Sequence, residues 1–149
     1  MRKLFLVTLA FALALATRPA TARADVGIGL FLGDPSGLDL KIGLNNRSGL
    51  DLLFGVNTLS SGRVSYGHLT YLVTPLVTQG DSISVPLRFG IGAAVFGDSN
   101  NVHVGARVPV EIALRFRSPL EIYGELAALF TIDEGDLDLQ GGGGIRLFF

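Results

Sequence analysis

Residues 102–116 read Val-His-Val-Gly-Ala-Arg-Val-Pro-Val-Glu-Ile-Ala-Leu-Arg-Phe. Val102, Val104, Ala106, Val108, Val110, Ile112, Leu114 and Phe116 fall on one alternate set. His103, Gly105, Arg107, Pro109, Glu111, Ala113 and Arg115 fall on the other. Helical spacing would mix these sets. A strand turns successive side chains to opposite faces and separates them, so this stretch is one long strand, apolar on one face and charged or small on the other.

The same split recurs along the chain. Val26, Ile28, Leu30 and Leu32 oppose Gly27, Gly29 and Phe31. Leu38, Leu40, Ile42 and Leu44 oppose Asp39, Lys41 and Gly43; Leu50, Leu52, Phe54 and Val56 oppose Asp51, Leu53 and Gly55. The apolar positions from Ile83 to Val95 oppose Ser84, Pro86, Arg88, Gly90 and Gly92. Leu120, Ile122, Leu126 and Phe130 oppose Glu121, Tyr123, Glu125 and Ala127, and the set from Leu137 to Phe149 opposes Asp138, Gln140, Gly142, Gly144 and Arg146. From Val64 to Leu76 the alternation is weaker; it puts Leu69, Tyr71 and Val73 on the apolar face and Tyr66, His68, Thr70 and Thr74 on the other.

Turn-forming clusters separate these runs: Asp34-Pro35-Ser36-Gly37, Asn45-Asn46-Arg47-Ser48, Ser60-Ser61-Gly62, Gln79-Gly80-Asp81, Asp98-Ser99-Asn100-Asn101, Ser118-Pro119 and Asp133-Glu134-Gly135. Seven short turns predict eight strands joined as antiparallel hairpins. Pro86 and Pro109 fall inside strands, where a missing N–H breaks the ladder, and predict local bulges.

A water-soluble barrel turns its apolar face inward. Here that face is too uniformly large for a small lumen, whereas the other face mixes Gly and Ala with charged residues. The facing is that of a membrane barrel, apolar toward lipid and polar toward the lumen, and closure leaves no unpaired edge in hydrocarbon. The expected fold is an all-β, eight-stranded antiparallel up-and-down transmembrane β-barrel over residues 25–149.

Residues 1–24 read as a cleaved signal peptide. Met1-Arg2-Lys3 is the positive start, Leu4–Ala16 an apolar run of 13 residues, and Ala22-Arg23-Ala24 the cleavage site before Asp25. The run is short against the ~20 residues of a spanning helix. Removing residues 1–24 takes four of the twelve basic residues and none of the thirteen acidic ones, leaving a net charge near −5 and arguing against nucleic acid as a partner. With no cysteine there is no lipoprotein anchor, disulfide or thiolate metal site. The expected location is the cell outer membrane, with outer-membrane lipids as partners and a monomeric state.

Gly33-Asp34-Pro35-Ser36-Gly37-Leu38 with Lys41, His68–Leu72 (HLTYL), Arg107-Val108-Pro109-Val110 and Pro119–Ala127 (PLEIYGELA) resemble motifs of a family of small outer-membrane barrel proteins of undefined role. The architecture is similar to the OmpA and OmpX barrels, and it departs from them in its short loops at both ends and in the expected lack of a periplasmic domain. The end at Phe149, after Leu147 and Ile145, resembles the C-terminal signal read by the barrel-insertion machinery. These motifs are structural, so the resemblance implies no activity.

Charges on the inward face are the candidate chemistry. Counting from the turns pairs Lys41 with Asp51, Arg88 with Glu111 and Arg115 with Glu121, puts Glu125 opposite Glu111, and leaves Arg146 on the next strand. They read as a proton or ion path, as a carboxylate pair for acid–base catalysis, or as a salt-bridge network filling the lumen. The network is preferred, because an unpaired charge in a dry lumen costs several kcal/mol and eight strands leave just enough room for side chains. His68 and His103, the only histidines, both turn inward. A lipid-modifying enzyme would need a nucleophile–base pair facing lipid, so no enzyme activity is expected. Gly141–Gly144 lacks the Lys-Ser/Thr of a phosphate loop. No catalytic, cofactor-binding or metal residue is assigned. The functional expectation is a structural, envelope-integrity role with a plugged lumen; the alternatives are a narrow channel for ions or very small solutes, and a lipid-modifying enzyme.

Overall fold

Every stretch of alternating sequence forms a strand. The computed structural model describes residues 25–57 and 64–149; the segment 1–24, with its signal-peptide reading, and the Ser60-Ser61-Gly62 turn lie outside the described residues. In chain order the strands are β1 (Val26–Asp34), β2 (Ser36–Asn45), β3 (Ser48–Asn57), β4 (Val64–Gln79), β5 (Ile83–Gly97), β6 (Val102–Phe116), β7 (Leu120–Thr131) and β8 (Leu137–Phe148). Each pairs antiparallel with the next, and β1 closes on β8 through rows such as Ile28 opposite Leu147 and Gly29 opposite Arg146. The result is a closed up-and-down barrel.

The facing read from the sequence holds on all eight strands. Leu32, Leu38, Phe54, Ile91, Val108, Leu126 and Leu139 stand outward and exposed, while Phe31, Asp39, Leu53, Tyr66, Arg107, Glu111 and Arg146 are buried within. On β4, Leu69, Tyr71 and Val73 point out and Tyr66, His68 and Thr70 in.

The bulge reading at Pro86 and Pro109 is corrected. The β5–β6 register is constant from Ile83 opposite Phe116 to Gly97 opposite Val102, and β6–β7 is constant through Pro109. The ladder skips Val85–Pro86 and Gly90–Ile91 on the β5–β6 seam. Each proline therefore costs rungs on one side of its strand without changing the count of residues. The register shifts instead between Val73 and Leu76 on β4, around Pro75, and between Gly43 and Asn45 on β2.

With an even number of strands, Asp25 and Phe149 lie at one end, tied by hydrogen bonds from Gly43 N–H to the Asp25 carbonyl and from Phe149 N–H to the Val26 carbonyl. We call this the terminal end. The β1–β2, β5–β6 and β7–β8 turns form the distal end.

Candidate functional site

The lumen is the only place where the fold gathers chemistry among the described residues. Its buried polar side chains come from inward positions on seven strands, β2 to β8, and β1 adds Phe31, because each strand contributes alternate residues to the same enclosed space. Nearest the terminal end is a cluster centred on Arg146 of β8. Its guanidinium donates through Nε to Asp39, through Nη2 to Asp51 Oδ1 at 2.7 Å, and through Nη1 to Glu111 Oε2 at 2.8 Å and Glu121 Oε1 at 3.2 Å. It also lies flat over the Tyr123 ring, 3.6 Å from the centroid. Arg88 donates to Glu111 and holds Glu121 with two further bonds, at 3.0 and 2.7 Å. Lys41 Nζ donates to Glu111 Oε1 at 3.0 Å, and the Tyr123 hydroxyl donates to Asp39.

A second cluster lies toward the distal end. Arg107 donates to Glu125 Oε1 at 2.5 Å and to Thr70 Oγ1 at 3.1 Å, and its Nη1 lies 3.0 Å from His68 Nε2. Beyond it, Tyr66 donates to Gln140 at 2.8 Å, and Phe31, Leu53, Ala94 and Leu129 form an apolar layer. Ionised groups this deep are tolerable only when paired on most of their hydrogen-bonding positions, which these clusters achieve.

Several pairings inferred from the turns hold and others do not. Arg88 opposes Glu111 and bonds it, and Glu125 opposes Glu111 in register; Lys41 does oppose Asp51, but its ammonium reaches Glu111 while Asp51 is held by Arg146. Arg115 does oppose Glu121, but its side chain turns to Asp25 at 3.1 Å, while Glu121 is taken by Arg88 and Arg146. Glu125 does not join the Arg88–Glu111–Arg146 group, because Arg107 holds it. Sequence counting missed Arg107 and Asp39 as members of the network. Both were visible as inward charges, but pairing by adjacent rows cannot see a side chain reaching several rows along or across the lumen.

Gly141–Gly144 has a structural reason. A Cβ at Gly144 would collide with the Tyr123 ring, and one at Gly142 would crowd Phe31 and the β1 backbone. These two glycines make room for the Phe31–Tyr123 stack, with centroids 5.7 Å apart, on which Arg146 rests.

Two vestibules flank the clusters. The one at the terminal end has a volume of about 370 Å³ and is lined by Asp25, Lys41, Ser48, Arg88, Arg115 and Phe148. The distal one, about 400 Å³, is lined by Asp34, Asp98, His103, Glu134, Asp138 and Gln140. At its rim His103 Nδ1 meets Asp133 Oδ2 at 2.6 Å, and this hydrogen bond holds the Asp133 carboxyl below the usual carboxylate range. Asp98 is likewise held low, by backbone N–H groups of Asn100 and Asn101. No group of three or more metal-ligating side chains is found among the described residues.

No protein-family model and no curated protein sequence matches the chain. Among solved structures it is similar to the N-terminal β-barrel domain of Pseudomonas aeruginosa OprF, with 15% identity and a TM-score of 0.65 over 85% of this chain and 98% of that one. It also aligns with Ail, the attachment invasion locus protein of Yersinia pestis solved with the heparin analogue sucrose octasulfate, at 16% identity and a TM-score of 0.35 over 84% and 94% of the two chains. The likeness to the OprF domain establishes the fold: a closed eight-stranded barrel of OmpA/OmpX-like architecture.

Proposed function

We propose that this chain is an integral outer-membrane protein whose barrel is plugged by its own side chains and which serves the integrity of the envelope. One observation carries the reading: the outside is apolar around all eight strands while the charges lie within. Soluble monomers rarely expose a contiguous apolar patch above a few hundred Å². A belt around a closed barrel suits hydrocarbon, where every backbone group must be paired within the structure. Outer-membrane lipids are then the partner of the exterior, the strand ending at Phe149 is what the insertion machinery reads, and the barrel works as a monomer.

Fractionation of expressing cells tests this. The protein is expected in the outer membrane, resisting alkaline extraction, with a mature N-terminus at Asp25. Recovery as a soluble periplasmic species would overturn it. The integrity role predicts that a deletion strain becomes sensitive to detergents and large antibiotics.

The second reading, a narrow ion path, is favoured by the two vestibules, which bring solvent to the network from both ends. A lipid-modifying activity has less support, since His68 and His103 both face the interior rather than lipid.

A further inference from the structure

The two lumenal ion clusters meet at one atom. His68 Nε2 lies 3.0 Å from Arg107 Nη1 and 3.3 Å from Asp51 Oδ2. A guanidinium can only donate and a carboxylate can only accept, whereas a ring nitrogen carries either a proton or a lone pair. The two contacts therefore ask opposite things of Nε2, and only one is a hydrogen bond at a time. The other ring nitrogen, Nδ1, is buried with no partner among the described residues, so no second bond fixes the tautomer.

Both neighbours can release the ring without being orphaned. Arg107 keeps Glu125 and Thr70, and Asp51 keeps Arg146 at its other oxygen. The surroundings of the ring are complete on every side. Asp51 comes from β3, with Lys41 of β2 in the row beside it and Arg146 of β8 behind it. Tyr66 and Thr70 share β4 with His68, and Ala94 faces it from β5. Arg107 comes from β6, with Glu125 of β7 behind it. Among the buried lumenal side chains, Lys41, Arg88, Arg107 and Arg146 stand against Asp39, Asp51, Glu111, Glu121 and Glu125. With all nine ionised, one proton added to the neutral His68 ring balances the count.

We propose that His68 is a proton-controlled joint between the two halves of the plug. Without a proton on Nε2 it accepts from Arg107 and belongs to the distal cluster. With that proton it donates to Asp51 and is tied to the Arg146 cluster, while Arg107 rests on Glu125 and Thr70. The one covalent change is the N–H bond that forms when the Nε2 lone pair takes a proton originating from water and that breaks when the proton is returned; everything else is an exchange of hydrogen bonds. The inference rests on the reading of the lumen as a plugged one.

Nitrogen NMR of the imidazole in the full barrel, reconstituted in lipid nanodiscs, tests it. His103→Gln leaves His68 as the only histidine, so its signals are unambiguous. Histidine ordinarily changes charge between about pH 5 and 8, so the scan runs from about pH 4 to about pH 9. The expected result is a change in which ring nitrogens carry protons, with the Arg107 side-chain signals moving at the same midpoint. A single protonation pattern over the whole range would overturn the joint. A second arm compares unfolding of the parent and His68→Gln barrels across the same range. Their unfolding constants should diverge several-fold from one end to the other, and a constant ratio counts against the proposal. If His68→Gln does not fold, the NMR arm decides. An open conductance with a normal His68 transition would overturn the plug and not the joint, so the two failures are distinguishable.

Discussion

Arg146 reaches carboxylates on β2, β3, β6 and β7 from a single guanidinium, while its flat face rests on Tyr123. Only arginine presents a planar fork of donors that can serve several acceptors and stack at once. Arg146→Ala leaves Asp39 and Asp51 without their cation in a buried site. Breaking a buried pair on one side typically costs about 3–5 kcal/mol. Arg115→Ala removes the partly exposed pair with Asp25 near the terminal end and is expected to cost about 0–1 kcal/mol. Urea unfolding of both variants from lipid vesicles checks the contrast, and equal losses would mean that the Arg146 cluster is solvated. Gly144 sets a second expectation. Tyr123 is pinned by Phe31, Arg146 and its bond to Asp39, so it cannot yield to a new methyl group. Gly144→Ala should destabilise by about 1–3 kcal/mol through overpacking, whereas alanine at the outward Gly143, which has space, should change little. The same unfolding assay reads both. Gly142 and Gly144 were the least legible residues in the sequence. Their meaning depends on Tyr123 and Phe31 standing opposite, which alternation within one strand does not show.

Strands β4 to β6 run 15 or 16 residues, well beyond β1 to β3. The excess projects at the terminal end. The β3–β4 ladder stops at Ser48 opposite Val73, with a last bond from Thr74 N–H to the Arg47 carbonyl, after which Leu76–Gln79 pair only with β5. That leaves a sheet edge open, which hydrocarbon does not permit, so under the proposed membrane reading the segment past Val73 is expected in the headgroup region or beyond. The bulge around Pro75 and the proline itself blunt the edge against pairing with other chains. This places the limit of the apolar belt and yields a depth-dependent prediction. Leu126→Arg, in the middle of β7 with 71% of its surface exposed, should cost about 2–4 kcal/mol in vesicle refolding, against about 0–1 for Thr78→Arg in the projecting ribbon. Equal penalties would place the ribbon in the hydrocarbon. The alternation and the turn clusters made the strands and their facing readable, because side-chain period and turn chemistry are local. The bulge was not. It sits at Pro75 rather than Pro86 or Pro109, since the latter two lose rungs only on the β5–β6 seam and keep their count.

At the scale of the whole barrel, two open vestibules approach each other and are separated by the ion clusters and by the layer of Phe31, Leu53 and Leu129. The identity of the lumenal charges was legible from alternation, but their partition into two groups was not, because Arg107 and Arg146 extend along and across the lumen and choose partners outside their own row. This partition bears on conduction. An ion crossing the barrel has to pass both groups, and each contact it displaces is a charge-assisted hydrogen bond in a space from which water is largely excluded. Eight-stranded barrels are filled by side chains, whereas channels of porin size need sixteen strands or more. Planar-bilayer recordings of the wild type should therefore show no steady current. Arg146→Ala removes the side chain that joins four carboxylates and leaves an acidic gap between the vestibules, so any current it admits should favour cations. Arg107→Ala should open less, because Arg146 and Arg88 still close the terminal half. A stable open state in the wild type, with Arg146→Ala raising it and leaving unfolding unchanged, would mean that the charges line a pore, and the ion-path reading would then replace the plug.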